Sequence, residues 1–173
     1  MIYISLSECD KSHKAQHDTA HSLLSSLLLE LGYNDPVILK KENGRPYVNF
    51  ECTDISITHS KNLVAVGVSS EKDIETDCTL PIPVKAQKIG IDIEYIDKNI
   101  DLNQKNRLAK RFFSKEASSI DEFFRIWTEN EAVGKLTGEG VIQKQAAICN
   151  VISFTVILEN SKDEYSLSIA YSD

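Results

Sequence analysis

The residues of this chain best suited to act together on a substrate are acids. In "IGIDIEYI", residues 89–96, alternation puts Ile89, Ile91, Ile93 and Tyr95 on one strand face and Gly90, Asp92, Glu94 and Ile96 on the other. Two carboxylates therefore point the same way, beside a glycine that admits close approach of a ligand or backbone. A third acid lies further along. In "FFRIWTENEAVGK", helical spacing aligns Ile120, Phe123, Phe124 and Trp127 with Glu131 and Lys135, so an apolar stripe runs into a carboxylate and an ammonium.

Each feature has a plain explanation. Asp92 and Glu94 on a solvated strand face, and Glu131 with Lys135 as an i, i+4 surface pair, need no function. The other reading is convergence, because a buried carboxylate is costly unless it is paired, hydrogen-bonded or bound to a metal. Three carboxylates would suit Mg²⁺, which takes hard oxygen ligands and shares its shell with substrate phosphates, and Lys135 could meet a phosphate oxygen. Gly138 and Gly140 in "LTGEG" permit a sharp turn after the helix, but the GxxxxGK[ST] phosphate loop is absent.

The elements that must position these residues form two rounds. The first has a strand at residues 2–7, a leucine-faced helix ending at Gly32, turn chemistry at Asn43–Gly44, and strands "ISITHS" and "NLVAVGVSS" joined by a tight turn at 60–62. Together these are expected to make a sheet beside the helix. Residues 69–88 read as a long charged loop, extended near Pro81 and Pro83. The second round has the strand carrying Asp92 and Glu94, helices over about 102–112 and 115–136, and strands near "VISFTVIL" and "YSLSIAYS".

The fold class is thus α+β in one unit of two similar halves, about 1–86 and 87–173. A 173-residue chain can bury a real core without crosslinks, and Cys9, Cys52, Cys78 and Cys149 have no zinc or CxxC spacing, so reduced thiols are expected. Neither a secretory leader nor a membrane span is read, which gives a cytoplasmic expectation. A net charge of −7 argues against sequence-independent nucleic-acid binding, and any anionic ligand must meet a local positive site.

Taken in order, "NGRPYV", "ISITHS", "IGIDIE" and "FFSKEA...FFRIWTENEAVGKLTGEG" closely resemble the motifs of the surfactin-type 4'-phosphopantetheinyl transferases, over roughly residues 43–140. The resemblance implies transfer of the phosphopantetheine arm of coenzyme A to a serine of an apo acyl or peptidyl carrier protein, with Mg²⁺ and release of adenosine 3',5'-bisphosphate. It also implies a pseudo-dimeric fold with the site in the cleft between the halves. By motif position Asp92, Glu94 and Glu131 would bind metal, Lys135 would contact the pyrophosphate, and Glu131 or a metal-bound hydroxide would take the serine proton. His59, with Ser60 beside it, would bind a coenzyme A phosphate, and Arg45 would hold the 3'-phosphate end. Lys40 and Lys41 are further candidates for phosphate contacts.

The chain departs from the family pattern at Asn130, where lysine usually precedes the helix glutamate, with Lys61 and Lys144 as possible replacements. It is also shorter at both ends than typical members. Lys105, Arg107, Lys110 and Arg111 gather on one predicted helix and could dock an acidic carrier protein, or form an ordinary solvated face. His13, His17 and His21 fall at i, i+4 and i+8; a solvated face is the simpler account of them than a metal site. His59 shares a strand face with Ile55 and Ile57, so without the resemblance a core histidine is expected. The overall expectation is a monomeric enzyme, with a binding-only relative and another Mg²⁺-dependent phosphoesterase as competitors.

Overall fold

The computed structural model describes residues 1–72, 79–140 and 149–173. Its elements are β1 (Ile2–Glu8), α1 (His13–Glu30), β2 (Ile38–Lys40), β3 (Pro46–Val48), β4 (Asp54–Ser60), β5 (Leu63–Ser69), β6 (Leu80–Ile82), β7 (Lys88–Tyr95), α2 (Leu102–Phe113), α3 (Ile120–Thr137), β8 (Asn150–Ile157) and β9 (Glu164–Ser172). Two antiparallel sheets, ordered β4-β5-β1-β6 and β7-β9-β8, carry the mixed α/β architecture. In both, the first strand lies beside the last strand of the hairpin that follows a helix.

The layers follow from alternation along β5, "LVAVGVS", which is buried throughout. Val64, Val66 and Val68 face α1 and pack with Leu24, Leu27 and Leu28, while Leu63 and Ala65 face the second sheet and pack with Ile89, Ile91, Ile93, Leu167 and Ile169. The apolar face of β7 therefore lies between the sheets. Its other face, with Gly90, Asp92 and Glu94, is turned toward α3, which packs on β7 and β9.

Gly90 shows how close that packing is. A Cβ at this position would lie 2.5 Å from the Leu136 nitrogen and closer still to the Ala132 carbonyl oxygen. The backbone approach expected at Gly90 is thus that of α3, and it brings Glu131 and Lys135 over the carboxylate face of β7.

Three sequence expectations need correction. The second long helix begins at Ile120, not near Lys115, because Ser119 caps it by accepting from Glu122 N, and Glu122 accepts from Ser118. The preceding segment is held away from helix by Asn106, whose amide brackets the N–H and C=O of Ala117. The segment around Asn43–Gly44 does not join the main sheet; β2 and β3 form a separate two-stranded sheet. Within residues 69–88, the part extended near Pro81 is β6, paired with β1. Cys9, Cys52 and Cys149 are free thiols, and Cys78 lies outside the described residues. No helix among the described residues is long and apolar enough to cross a membrane.

Replacement of Gly90 by alanine forces β7 and α3 apart and is expected to cost at least about 3 kcal/mol, a fall of roughly 6–12 °C in Tm for a chain of this size. Thermal melts of Gly90→Ala beside the parent check this, and an unchanged Tm would contradict the packing described.

Candidate functional site

The site begins with β4, "DISITHS". Its even-numbered side chains Asp54, Ser56, Thr58 and Ser60 accept the outward N–H groups of Ile89, Ile91, Ile93 and Tyr95 on β7, at 2.9, 3.0, 3.3 and 3.0 Å. Side chains thus do for the β7 edge what a neighbouring backbone would do in a continuous sheet. Two of them also reach the acids: Thr58 Oγ1 donates to Asp92 Oδ1 at 3.1 Å and Ser60 Oγ to Glu94 Oε2 at 2.8 Å.

Lys135, on α3, donates to the same Asp92 Oδ1 at 2.7 Å. The other oxygen, Asp92 Oδ2, is buried and takes no hydrogen bond among the described residues. Burial raises the Asp92 pKa above its ordinary value, against the opposing effect of Lys135. Glu94 is raised by burial and by Asp92, against the lowering hydrogen bond from Ser60. Glu131, half-buried, is raised by burial, then by Asp92 and Glu94. Asp92 thus acts on Glu94 beside it and on Glu131 across the β7–α3 contact.

Asp92, Glu94, Glu131 and Lys135 line one cavity of about 470 Å³ with His59, Thr58, Lys40, His13, His17 and His21. It adjoins a smaller pocket of about 300 Å³ that shares Gly44, Pro46, Glu131 and Lys135. The cavity thus receives residues from α1, β2, β4, β7 and α3. His59 is exposed toward it and not in the core; its pKa is lowered by burial, then by Lys135 and His13. His13 and His17 are exposed, as expected, and with the half-buried His21 they also line the same cavity.

Arg45 lines the adjoining pocket with Glu131 and Lys135, and it and other candidates also have partners within the protein. The largely buried Arg45 guanidinium donates to Asp54 Oδ2, to Ile89 O, and to the Lys135 and Leu136 carbonyls at the end of α3. It therefore ties β3 and β4 to β7 and α3. Lys41 stands near the Tyr47 ring, 6.0 Å away. Asn130 donates back to Ile126 O on its own helix at 2.6 Å, and Lys61 is committed to Asp163 at 3.0 Å and to the Tyr95 ring, so it does not replace the missing cation. Lys144 lies outside the described residues.

The donor chemistry fits a hard divalent cation: the acids face one cavity, Asp92 raises the pKa of both Glu94 and Glu131, and Asp92 Oδ2 is buried without a partner among the described residues. Among the described residues, no three His, Cys, Asp or Glu side chains are gathered closely enough to form a ready-made metal cluster. The side-chain ladder of β4 was missed in the sequence, although the alternation of Asp54, Ser56, Thr58 and Ser60 was there to signal it.

Residues 88–170, which include β7, α2, α3 and all three acids, match the family model of the 4'-phosphopantetheinyl transferase superfamily. Over this segment, the sequence is similar to that superfamily. A Haemophilus influenzae protein named for 4'-phosphopantetheinyl transferase activity is 31% identical over 131 residues, 72% of this chain and 51% of that protein. The 4'-phosphopantetheinyl transferase HetI of a Nostoc species is 33% identical over 96 residues, 50% of this chain and 33% of HetI. The chain thus spans about half or less of the length of these relatives.

Two measurements test the site's physics. Arg45→Met leaves Asp54 without its ion pair and should cost about 3–5 kcal/mol, read as a lowered denaturation midpoint; unchanged stability with weakened ligand binding would instead make Arg45 a ligand contact. The raised carboxylate pKa values mean that the folded chain keeps protons which the unfolded chain has lost, so stability falls as pH rises from about 4 through the raised values. Glu131→Gln removes one such charge and should raise Tm by about 2–4 °C at pH 7, with the gain vanishing below about pH 4.

Proposed function

We propose that this protein transfers the 4'-phosphopantetheine arm of coenzyme A to a serine hydroxyl of an apo acyl or peptidyl carrier protein. The observation that carries this reading is the meeting of Asp92, Glu94, Glu131 and Lys135 in one cavity, on the segment that matches the superfamily. Phosphoryl transfer depends mainly on positioning and charge neutralisation, and this arrangement supplies both kinds of group. The strand order common to the two sheets supports two similar halves, about 1–86 and 87–173, with the site between them.

The serine oxygen forms a bond to the phosphorus that carries the pantetheine arm, and the bond from that phosphorus to the bridging pyrophosphate oxygen breaks. Adenosine 3',5'-bisphosphate then leaves with the electron pair. A divalent cation such as Mg²⁺, held by Asp92, Glu94 and Glu131, would neutralise pyrophosphate charge. Lys135, which also holds Asp92, offsets part of the charge developing on the leaving group. Glu131 is the candidate base for the serine proton, since its raised pKa brings it nearer the working pH than an ordinary glutamate. His59 and Lys40 face the phosphates from the opposite wall, with Ser60 holding Glu94.

Arg107, Lys110 and Arg111 are exposed on α2, with Lys105 lying over the Phe123 ring. This basic stripe in an acidic chain suits an acidic carrier protein. The enzyme is read as a cytoplasmic monomer.

One observation favours a second reading, a relative that binds coenzyme A without turnover: the Asn130 amide is bonded back to its own helix and offers the cavity no cation. Intact mass of an apo carrier protein, incubated with this protein, coenzyme A and Mg²⁺, decides between them. The expected result is a gain of one phosphopantetheine unit, lost with chelator and reduced at least about 100-fold in rate by Glu131→Ala. No gain across several carrier proteins, together with measurable coenzyme A binding, would favour the binding-only reading.

A further inference from the structure

We propose that the α1 face bearing His13, His17 and His21, together with Lys40, is a phosphate-binding wall of the cavity whose positive charge is supplied by protonation. The argument begins with where the permanent cations are spent. Arg45 is committed to Asp54 and backbone carbonyls, Lys135 to Asp92, and Lys61 to Asp163. A phosphate entering a cavity that also holds Asp92, Glu94 and Glu131 needs compensating charge. Among the described residues, the remaining candidates on the cavity lining are Lys40 and the histidines.

All four histidines of the chain line this cavity. On α1 the i, i+4, i+8 spacing stacks His17 on His21 with ring centroids 4.3 Å apart, while the His13 ring lies edge-on to His59 at 6.3 Å. The His17 and His21 rings are thus stacked within reach of one ligand in the cavity they both line.

The charged groups around the wall come from several elements. Asp18 on α1 lies 3.6 Å from His17, and Lys40 comes from β2, His59 from β4, Asp92 and Glu94 from β7, and Glu131 and Lys135 from α3. The His21 pKa is lowered by burial, then by His17 and Lys40. An anion seated between these groups offsets the repulsion from His17 and Lys40, so binding should draw protons onto the wall and tighten as pH falls.

This wall rests on the transferase reading for its natural ligand, but inorganic pyrophosphate tests it independently. Calorimetry of the intact protein without added metal should show pyrophosphate bound about tenfold more tightly at about pH 6 than at about pH 8, with proton uptake, and the triple variant His13→Gln, His17→Gln, His21→Gln should reduce that ratio to less than about twofold. Protonation of the facing carboxylates would also favour anions at low pH. A triple variant that is folded, as its melt would show, and retains the full pH dependence overturns the proposal. So does wild-type affinity that is equal at both pH values, or no pyrophosphate binding at either. A protein that shows the expected dependence yet modifies no carrier protein keeps the wall and loses the transferase reading; one that modifies a carrier but binds pyrophosphate equally at both pH values loses the wall alone.

Discussion

The structure depends on the contact between β4 side chains and the free edge of β7. An edge strand with four outward N–H groups, buried without partners, would cost roughly 1–3 kcal/mol for each. Asp54, Ser56, Thr58 and Ser60 satisfy them one by one and so fix a single register between the two sheets. Because the side-chain period is two, a slip by one residue would bring Ile55, Ile57 and His59 to that edge and leave the N–H groups unpaired. The same register sets Thr58 against Asp92 and Ser60 against Glu94, so the joint between the sheets also positions the acids.

The second constraint is charge. Collecting Asp92, Glu94 and Glu131 in one cavity opposes folding, and the raised pKa values record that opposition. Lys135 and the β4 hydroxyls offset part of it. Arg45 acts one step further out: by binding the carbonyls of Lys135 and Leu136 it anchors the end of α3, and with it the backbone from which Lys135 reaches Asp92. A cationic side chain near helix-end carbonyls also complements the helix dipole.

Much of this was legible in the sequence. Alternation in "IGIDIEYI" separated the core face from the acid face, and Gly90 signalled a close backbone approach. The α1 stop at Gly32 has the left-handed backbone that the glycine suggested, φ 72°. What was not legible depends on contacts between distant residues. For Arg45, nothing local shows that Asp54, Ile89 and the end of α3 also hold its guanidinium. The start of α3 was misplaced because "SKEASSIDEF" has helical composition throughout, and Asn106, some ten residues upstream, decides where extended chain gives way to helix. That the exposed α1 histidines also share a cavity with β2 and β4 was not legible, because the sequence does not say which strands lie near them.

These constraints combine in the electrostatics of the cavity. Lys135 already serves Asp92, so among the described residues the cavity's charge changes mainly through two kinds of group: the acids on β7 and α3, and the imidazoles on α1 and β4. Neutralising the acids, by protons or by a cation, lowers the repulsion met by an incoming anion, and an anion at the histidines in turn favours positive charge nearby. Linkage requires the coupling to be reciprocal. Cation and phosphate should therefore reinforce one another's binding here, more strongly than in a site lined with uncommitted arginines, where the anion would find its counter-charge already in place.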